Sequence, residues 1–166
     1  MKYGVVYSSK TGNTRLLAEE IRKVLPAEEC LYFGEPASEA LKAEVLYVGF
    51  WTDKGDCDQA VASFLSSVTD QKVFLFGTAG FGGASAYFEN ILHRVSGHLP
   101  ACAQLAGSFM CQGKMPMSVR ARYEKMLESP EHAPNVSAMI ENFDRALSHP
   151  DAEDLAALQA AVRSAV

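Results

Sequence analysis

No stretch of this 166-residue chain is apolar for long enough to cross a membrane, and the opening MKYGVVYSSK carries an apolar run far too short for a signal peptide. Cysteine is scarce. Cys30, Cys57, Cys102 and Cys111 are the only four, and no two stand at metal-clip spacing, which argues against a zinc site. Together these absences point to a cytoplasmic protein with reduced thiols. An excess of positive charge is missing too. Fifteen Lys and Arg against 20 Asp and Glu leave a formal net charge of −5. That balance argues against nucleic acid or an anionic membrane as partner, while permitting contact with a basic protein surface. The phosphate-binding signatures G-x-x-x-x-G-K-[ST] and G-x-G-x-x-G are both absent, as is a nucleophile elbow. His93, His98, His132 and His149 share no metal-ligand spacing with a carboxylate or thiol.

What is present is an ordinary globular composition, 48% hydrophobic and 21% charged, in a length suited to one domain over residues 1–166. Three apolar runs, YGVVY (3–7), EVLYVGF (44–50) and KVFLFGT (72–78), are near-continuous rather than alternating and end in turn residues. Strands covered on both faces read this way. QLAGSFMC (104–111) and the shorter ECLYF (29–33) make a fourth and a fifth. Helical periodicity fills the gaps at 13–25, 58–68 and 85–99, and continues at 118–128, 135–147 and 151–166. Asp151 is placed to cap the last helix. Alternation of strands and helices predicts right-handed crossovers and an α/β doubly wound parallel sheet with helices on both faces. Prolines at 130, 134 and 150 punctuate helices rather than separate domains.

In such a sheet, ligands bind beyond the carboxyl ends of the strands, where strand order reverses. The segment after the first strand is Ser8, Ser9, Lys10, Thr11, Gly12, Asn13 and Thr14. It sets four hydroxyls, an amide and a glycine at the start of a helix, where unpaired N–H groups and the helix dipole attract a phosphate. An ordinary cap needs only one such hydroxyl. SSKTGNT resembles the phosphate loop of flavodoxins, [ST]-x-T-G-x-T, at Ser9, Thr11, Gly12, Asn13 and Thr14. Lys10 departs from the hydroxyl residue common in that family, and either points outward or lends charge to the phosphate. FWTDKG and CQGK resemble a bacterial branch of short flavodoxin-like proteins, and the resemblance covers most of residues 2–115.

The resemblance implies a five-stranded sheet in the order 2-1-3-4-5 and one noncovalent FMN, its phosphate held mostly by hydroxyls and backbone amides. It implies further contacts from Phe50, Trp51, Thr52, Asp53, Lys54 and Gly55. Trp51 would stack on one face of the flavin, or else cap the core between sheet and helix. Asp53, Lys54 and Gly55 would form the turn whose peptide flip the family uses to stabilise half-reduced flavin. Thr78, Ala79, Gly80, Phe81 and Gly82 would approach from the next loop, where glycines at 77, 80, 82 and 83 suggest a compact, mobile turn. Phe81 or Tyr87 would cover the second face, although Tyr87 and Phe88 fit a helix core equally well. Gln112 would donate to the flavin or face solvent.

Asp53, Asp56 and Asp58 form an acidic cluster that would guide a basic partner or depress the flavin potential, unless Asp56 or Asp58 is simply an N-cap. Cys57 reads as a small buried thiol, and the Lys114–Lys125 stretch with Arg120 and Arg122 as the polar face of a helix. The expected function is a monomeric, low-potential electron carrier that exchanges electrons with a separate redox protein and has no general acid, base or nucleophile. An FMN-dependent reductase or oxidase, acting on a quinone, azo or porphyrin-type substrate, is the alternative on the same fold. A signalling or interaction module without flavin is the alternative of another class.

Overall fold

The computed structural model describes residues 1–82 and 84–165. Gly83, one of the four glycines expected to form a turn, and Val166, the end of the last helical pattern, lie outside the described residues. Five strands, β1 (Tyr3–Tyr7), β2 (Cys30–Gly34), β3 (Val45–Trp51), β4 (Lys72–Ala79) and β5 (Gln104–Gln112), form one sheet in the order β2-β1-β3-β4-β5. Every neighbouring pair is parallel. The helices are α1 (Asn13–Val24), α2 (Gln59–Ser66), α3 (Ser85–Ser96), α4 (Met117–Leu127), α5 (Val136–Ala146) and α6 (Ala152–Ala165). Short 3-10 turns at Ala27–Glu29 and Ser38–Lys42 flank β2.

The continuous apolar runs are explained by two cores, one on each face of the sheet. Val6, Leu46, Val48, Phe50, Val73 and Leu75 meet Val61 and Leu65 of α2 and Ile91 and Val95 of α3. The alternate residues Val5, Tyr7, Tyr47, Phe74 and Phe76 meet Leu17 and Ile21 of α1 and Leu158 and Val162 of α6. Successive strand residues point to opposite faces, so a strand covered twice must be apolar throughout. The third C-terminal pattern, α6, is thus part of the sheet's cover. Its start is held by a reciprocal cap: the Asp154 amide donates to the Asp151 carboxylate and the Asp151 amide to the Asp154 carboxylate, both at 2.9 Å. The other two, α4 and α5, pair with each other around Tyr123, Val136 and Phe143 in a small cluster of their own. The bidentate bond of Arg120 to Asp144, at 2.9 and 3.1 Å, clamps them together at the surface.

Strand ends differ from the sequence pattern at two places that matter. Trp51 is the last residue of β3, paired with Thr78, and β4 runs on to Ala79, one residue past its apolar run. Hydrogen-bond pairing with a neighbouring strand extends each element past its apolar run. Gly77, expected in a mobile turn, is a packing glycine inside β4. A Cβ there would lie 2.3 Å from the Phe50 ring, and one at Gly49 would lie 2.3 Å from the Phe76 ring. In register, Gly49 pairs with Phe76 and Phe50 with Gly77. Each phenylalanine therefore lies across the glycine opposite it, which fixes the carboxyl ends of β3 and β4 closely together.

Candidate functional site

The carboxyl ends of β1, β3, β4 and β5 converge on one edge, and the loops there bound a cavity of about 530 Å³. Ten of the expected residues line it: Lys10, Thr11, Trp51, Thr52, Lys54, Gly55, Thr78, Ala79, Gly80 and Phe81. An adjoining hollow of about 400 Å³ is lined by Thr11, Gly12 and Asn13 on one side and by Lys114, His149 and Pro150 on the other. The loop after β1 thus sits where the two spaces meet.

The start of α1 is built to receive a group from outside. Its N-cap is Gly12, at φ 90, with no side-chain cap and no acidic residue in the first turn. The amides of Thr11, Asn13 and Thr14 have no hydrogen-bond acceptor among the described residues. Unpaired N–H groups at the positive end of a helix favour an anion. A side chain at position 12 would have free space around it, so glycine is required there by the backbone conformation alone.

The hydroxyls of this loop divide into two sets. Ser9 Oγ accepts from the Gly12 amide at 3.2 Å and the Arg15 amide at 3.3 Å, which leaves its proton free to donate. Thr11 is exposed at the rim. Ser8 instead donates to Asp58, and the buried Thr14 hydroxyl lies 3.2 Å from both the Phe50 carbonyl and the Thr78 hydroxyl. Asn13 is buried and donates to the Lys114 carbonyl at 2.8 Å. Ser8, Asn13 and Thr14 therefore fasten the loop to β3, β4, α2 and the end of β5. The expectation that most hydroxyls face a phosphate is narrowed to Ser9 and Thr11.

The Lys10 Nζ lies over the Trp51 ring, 5.0 Å from the centroid, at the cavity wall. Trp51 is half-buried and lines the cavity, so it is no part of the closed core. Beyond it, Asp53 and Asp56 exchange backbone hydrogen bonds at 2.8 and 3.1 Å around a two-residue turn. Lys54 at φ 52 and Gly55 at φ 82 give this turn the left-handed geometry of type I′. A Cβ at Gly55 would meet only the end of the flexible Arg94 side chain, at 2.8 Å, so it is the positive φ that calls for glycine there.

The acidic cluster does not face the cavity. Asp58 caps α2 by accepting from the Val61 amide at 3.0 Å. Asp56 accepts from the Cys57 amide at 2.8 Å and lies 3.1 Å from His98 Nε2. Partial burial pushes the Asp56 carboxyl up, but the Cys57 amide and His98 outweigh it and hold the group below the ordinary carboxylate range. Burial, helped by the charge of Asp56, pushes the Cys57 thiol up to about 12, so it stays protonated and unreactive at neutral pH. Histidines that share no spacing in sequence with an acid nonetheless meet acids in space: His98 with Asp56, and His149 Nδ1 at 2.6 Å from Asp154.

Four expected contacts lie elsewhere. Phe50 is fully buried beneath Gly77, where strand alternation points it into the core. Asp53 holds the turn through its backbone. Gly82 packs against the side chain of Gln112, and Gln112 donates to the Gly80 carbonyl and to Asn142, both at 2.9 Å. Asn142 of α5 donates to the same carbonyl at 3.0 Å. Gly80 in turn lies under Met115, whose Sδ is 2.5 Å from where a Cβ would sit. Gly80 and Gly82 thus stand in close packing against Met115 and Gln112.

The segment between β5 and α4, together with α4, supplies the wall that sequence reasoning missed. Lys114, Met115, Pro116, Ser118, Val119 and Arg122 all line the cavity. Ser118 and Arg122 stand four residues apart and so share a helix face, a signal that was available. Phe81 and Tyr87 both line the cavity as well, with Phe81 40% exposed and Tyr87 also packed on the α3 core.

A profile of the flavodoxin domain family matches residues 4–163. A flavodoxin-like domain-containing protein, BilS, from Clostridium symbiosum is 44% identical over 176 residues, spanning 96% of this chain and 93% of its own. Among solved structures, the apo form of an NADH:FMN oxidoreductase superposes with a TM-score of 0.52 at 14% identity, covering 92% of this chain and 98% of its own. A flavoprotein from Lactobacillus acidophilus, solved with FMN, superposes at 0.51 with 11% identity, covering 66% of this chain and 92% of its own. At these identities the two structures speak for the fold.

Proposed function

Because the chain belongs to the flavodoxin domain family, we propose that it binds one FMN noncovalently and exchanges electrons with a separate redox protein. The observation that carries this reading is the uncapped, amide-rich start of α1 opening onto a cavity walled by Trp51. The Thr11, Asn13 and Thr14 amides with the Ser9 and Thr11 hydroxyls would take the phosphate. Trp51, with Phe81 or Tyr87, would enclose the ring. FMN supplies the electron-accepting chemistry when bound, and the protein's part is to bind it, orient it and set the charge around it. Reduced thiols and the absence of a long apolar helix among the described residues suit a cytoplasmic carrier.

The test is direct. Apoprotein titrated with FMN should quench the flavin fluorescence at one equivalent and become yellow after desalting. A preparation that stays colourless would end the reading. A reductase reading draws on the α4 wall, which closes a side of the cavity and would give an acceptor a surface. Steady-state oxidation of NADH with a quinone by the holoprotein alone would favour it. Reduction only in the presence of a separate reductase favours the carrier.

A further inference from the structure

The protein carries five more negative than positive charges, yet among the described residues the charged side chains lining the cavity are four cations and no carboxylate: Lys10, Lys54, Lys114 and Arg122. None of the four is in an ion pair among the described residues. Of the acids in the loop after β3, Asp56 and Asp58 are engaged by His98 and by the start of α2, and Asp53 is exposed and does not line the cavity. The four also differ in position. Lys114 lines both the cavity and the hollow beside the amide cradle, and Lys10 belongs to the cradle loop itself. Lys54 and Arg122 come from opposite walls of the cavity, the turn after β3 and helix α4, and neither is stacked on Trp51 as Lys10 is. Lys54 is the only non-glycine residue at positive φ among the described residues, in a turn position that glycine or asparagine fills more readily.

We infer that Lys54 and Arg122 are redox-tuning residues, which bind the anionic reduced flavin in preference to the oxidised one. This rests on the FMN reading above. The oxidised ring is neutral. It takes two electrons and one proton from solution to become a monoanion, while the phosphate keeps its charge throughout. A cation beside the phosphate therefore strengthens both states equally, whereas a cation beside the ring strengthens only the reduced state. Lys114, which also lines the hollow beside the amide cradle, belongs to the first kind, and Lys54 and Arg122 to the second; Lys10 is held over the Trp51 ring. The charge around the ring then acts against a low potential, opposite to what the acidic loop sequence suggested.

The experiment compares Lys54→Asn, Arg122→Gln and the double variant with the unaltered holoprotein and with Lys125→Gln, an α4 cation that does not line the cavity. Asparagine tolerates the left-handed turn. FMN fluorescence quenching measures binding of the oxidised state. Anaerobic dithionite titration against a reference dye then yields the ratio of oxidised to reduced dissociation constants. Each single variant should lower that ratio about fivefold, with oxidised FMN bound within about twofold of normal. The double variant should lower it at least tenfold, equivalent to about 30 mV for two electrons. Lys125→Gln should leave it unchanged. A double variant with an unaltered ratio overturns the assignment, and so does equal weakening of both states. Failure of the unaltered protein to bind FMN overturns the cofactor reading itself, and this inference with it.

Discussion

The amide cradle after β1 and the cation-lined cavity beside it are built on opposite principles. In the cradle, Ser8, Asn13 and Thr14 are spent on holding the loop, and what is offered outward is mostly backbone. Across the cavity, Lys54 and Arg122 are exposed and offer side-chain charge on flexible stems. The first arrangement is stiff and specific in shape. The second is adjustable and acts by field. A phosphate never changes charge in a redox cycle, so fixed dipoles suffice for it. A ring that gains charge is better answered by mobile cations at its edge.

Substitutions can break that contrast. The largest effect is expected at Gly77→Ala, whose Cβ would collide with Phe50. Moving Phe50 also moves the carbonyl near the Thr14 hydroxyl. Overpacking of this kind costs about 3 kcal/mol, and urea denaturation should show it together with weakened FMN binding. A variant of normal stability would mean that β3 and β4 tolerate separation.

Asn13→Ala tests the joint between the two regions, since its amide bridges to the Lys114 carbonyl. Losing one buried hydrogen bond should cost about 1.5 kcal/mol, a drop in Tm of about 4 °C for a chain of this size. Unchanged melting would show that the cradle stands without this tie.

Lys54→Gly should move the other way. Relief of the left-handed turn is expected to stabilise the fold by about 1 kcal/mol. A protein that gains stability while binding reduced FMN less well would sharpen the contrast; one that loses stability would show the turn is unstrained.

The smallest effect is one of pH. The Asp56 carboxyl is held below its ordinary range in the folded state, so its contribution is present above the unfolded pKa and is lost as pH falls through the folded one. Acid titration of wild type against Asp56→Asn should therefore show a difference at neutral pH that shrinks below the usual carboxylate range. A constant difference would place the role of Asp56 in geometry rather than charge.

Much of this was legible in the chain. The apolar runs and helical periods located the five strands and all six helices to within a few residues, because burial on both sheet faces leaves a mark at every position of a strand. The cradle was legible because a glycine and several polar residues must stand together between a strand and a helix to leave amides free. Less legible was which polar groups turn inward. Ser9 and Thr14 look alike in sequence, yet one stands at the mouth of the site and the other is buried between Phe50 and Thr78.

What the sequence determined by itself is the doubly wound sheet and the loop at the start of α1, since both follow from local periodicity and local backbone conformation. What only the tertiary structure decided is the character of the cavity. Asp56 and Asp58 turn to His98 and to the start of α2, and Arg122 arrives from a helix about seventy residues further along. Charge around a cavity depends on distances between elements remote in sequence, and no periodicity within any one of them records it.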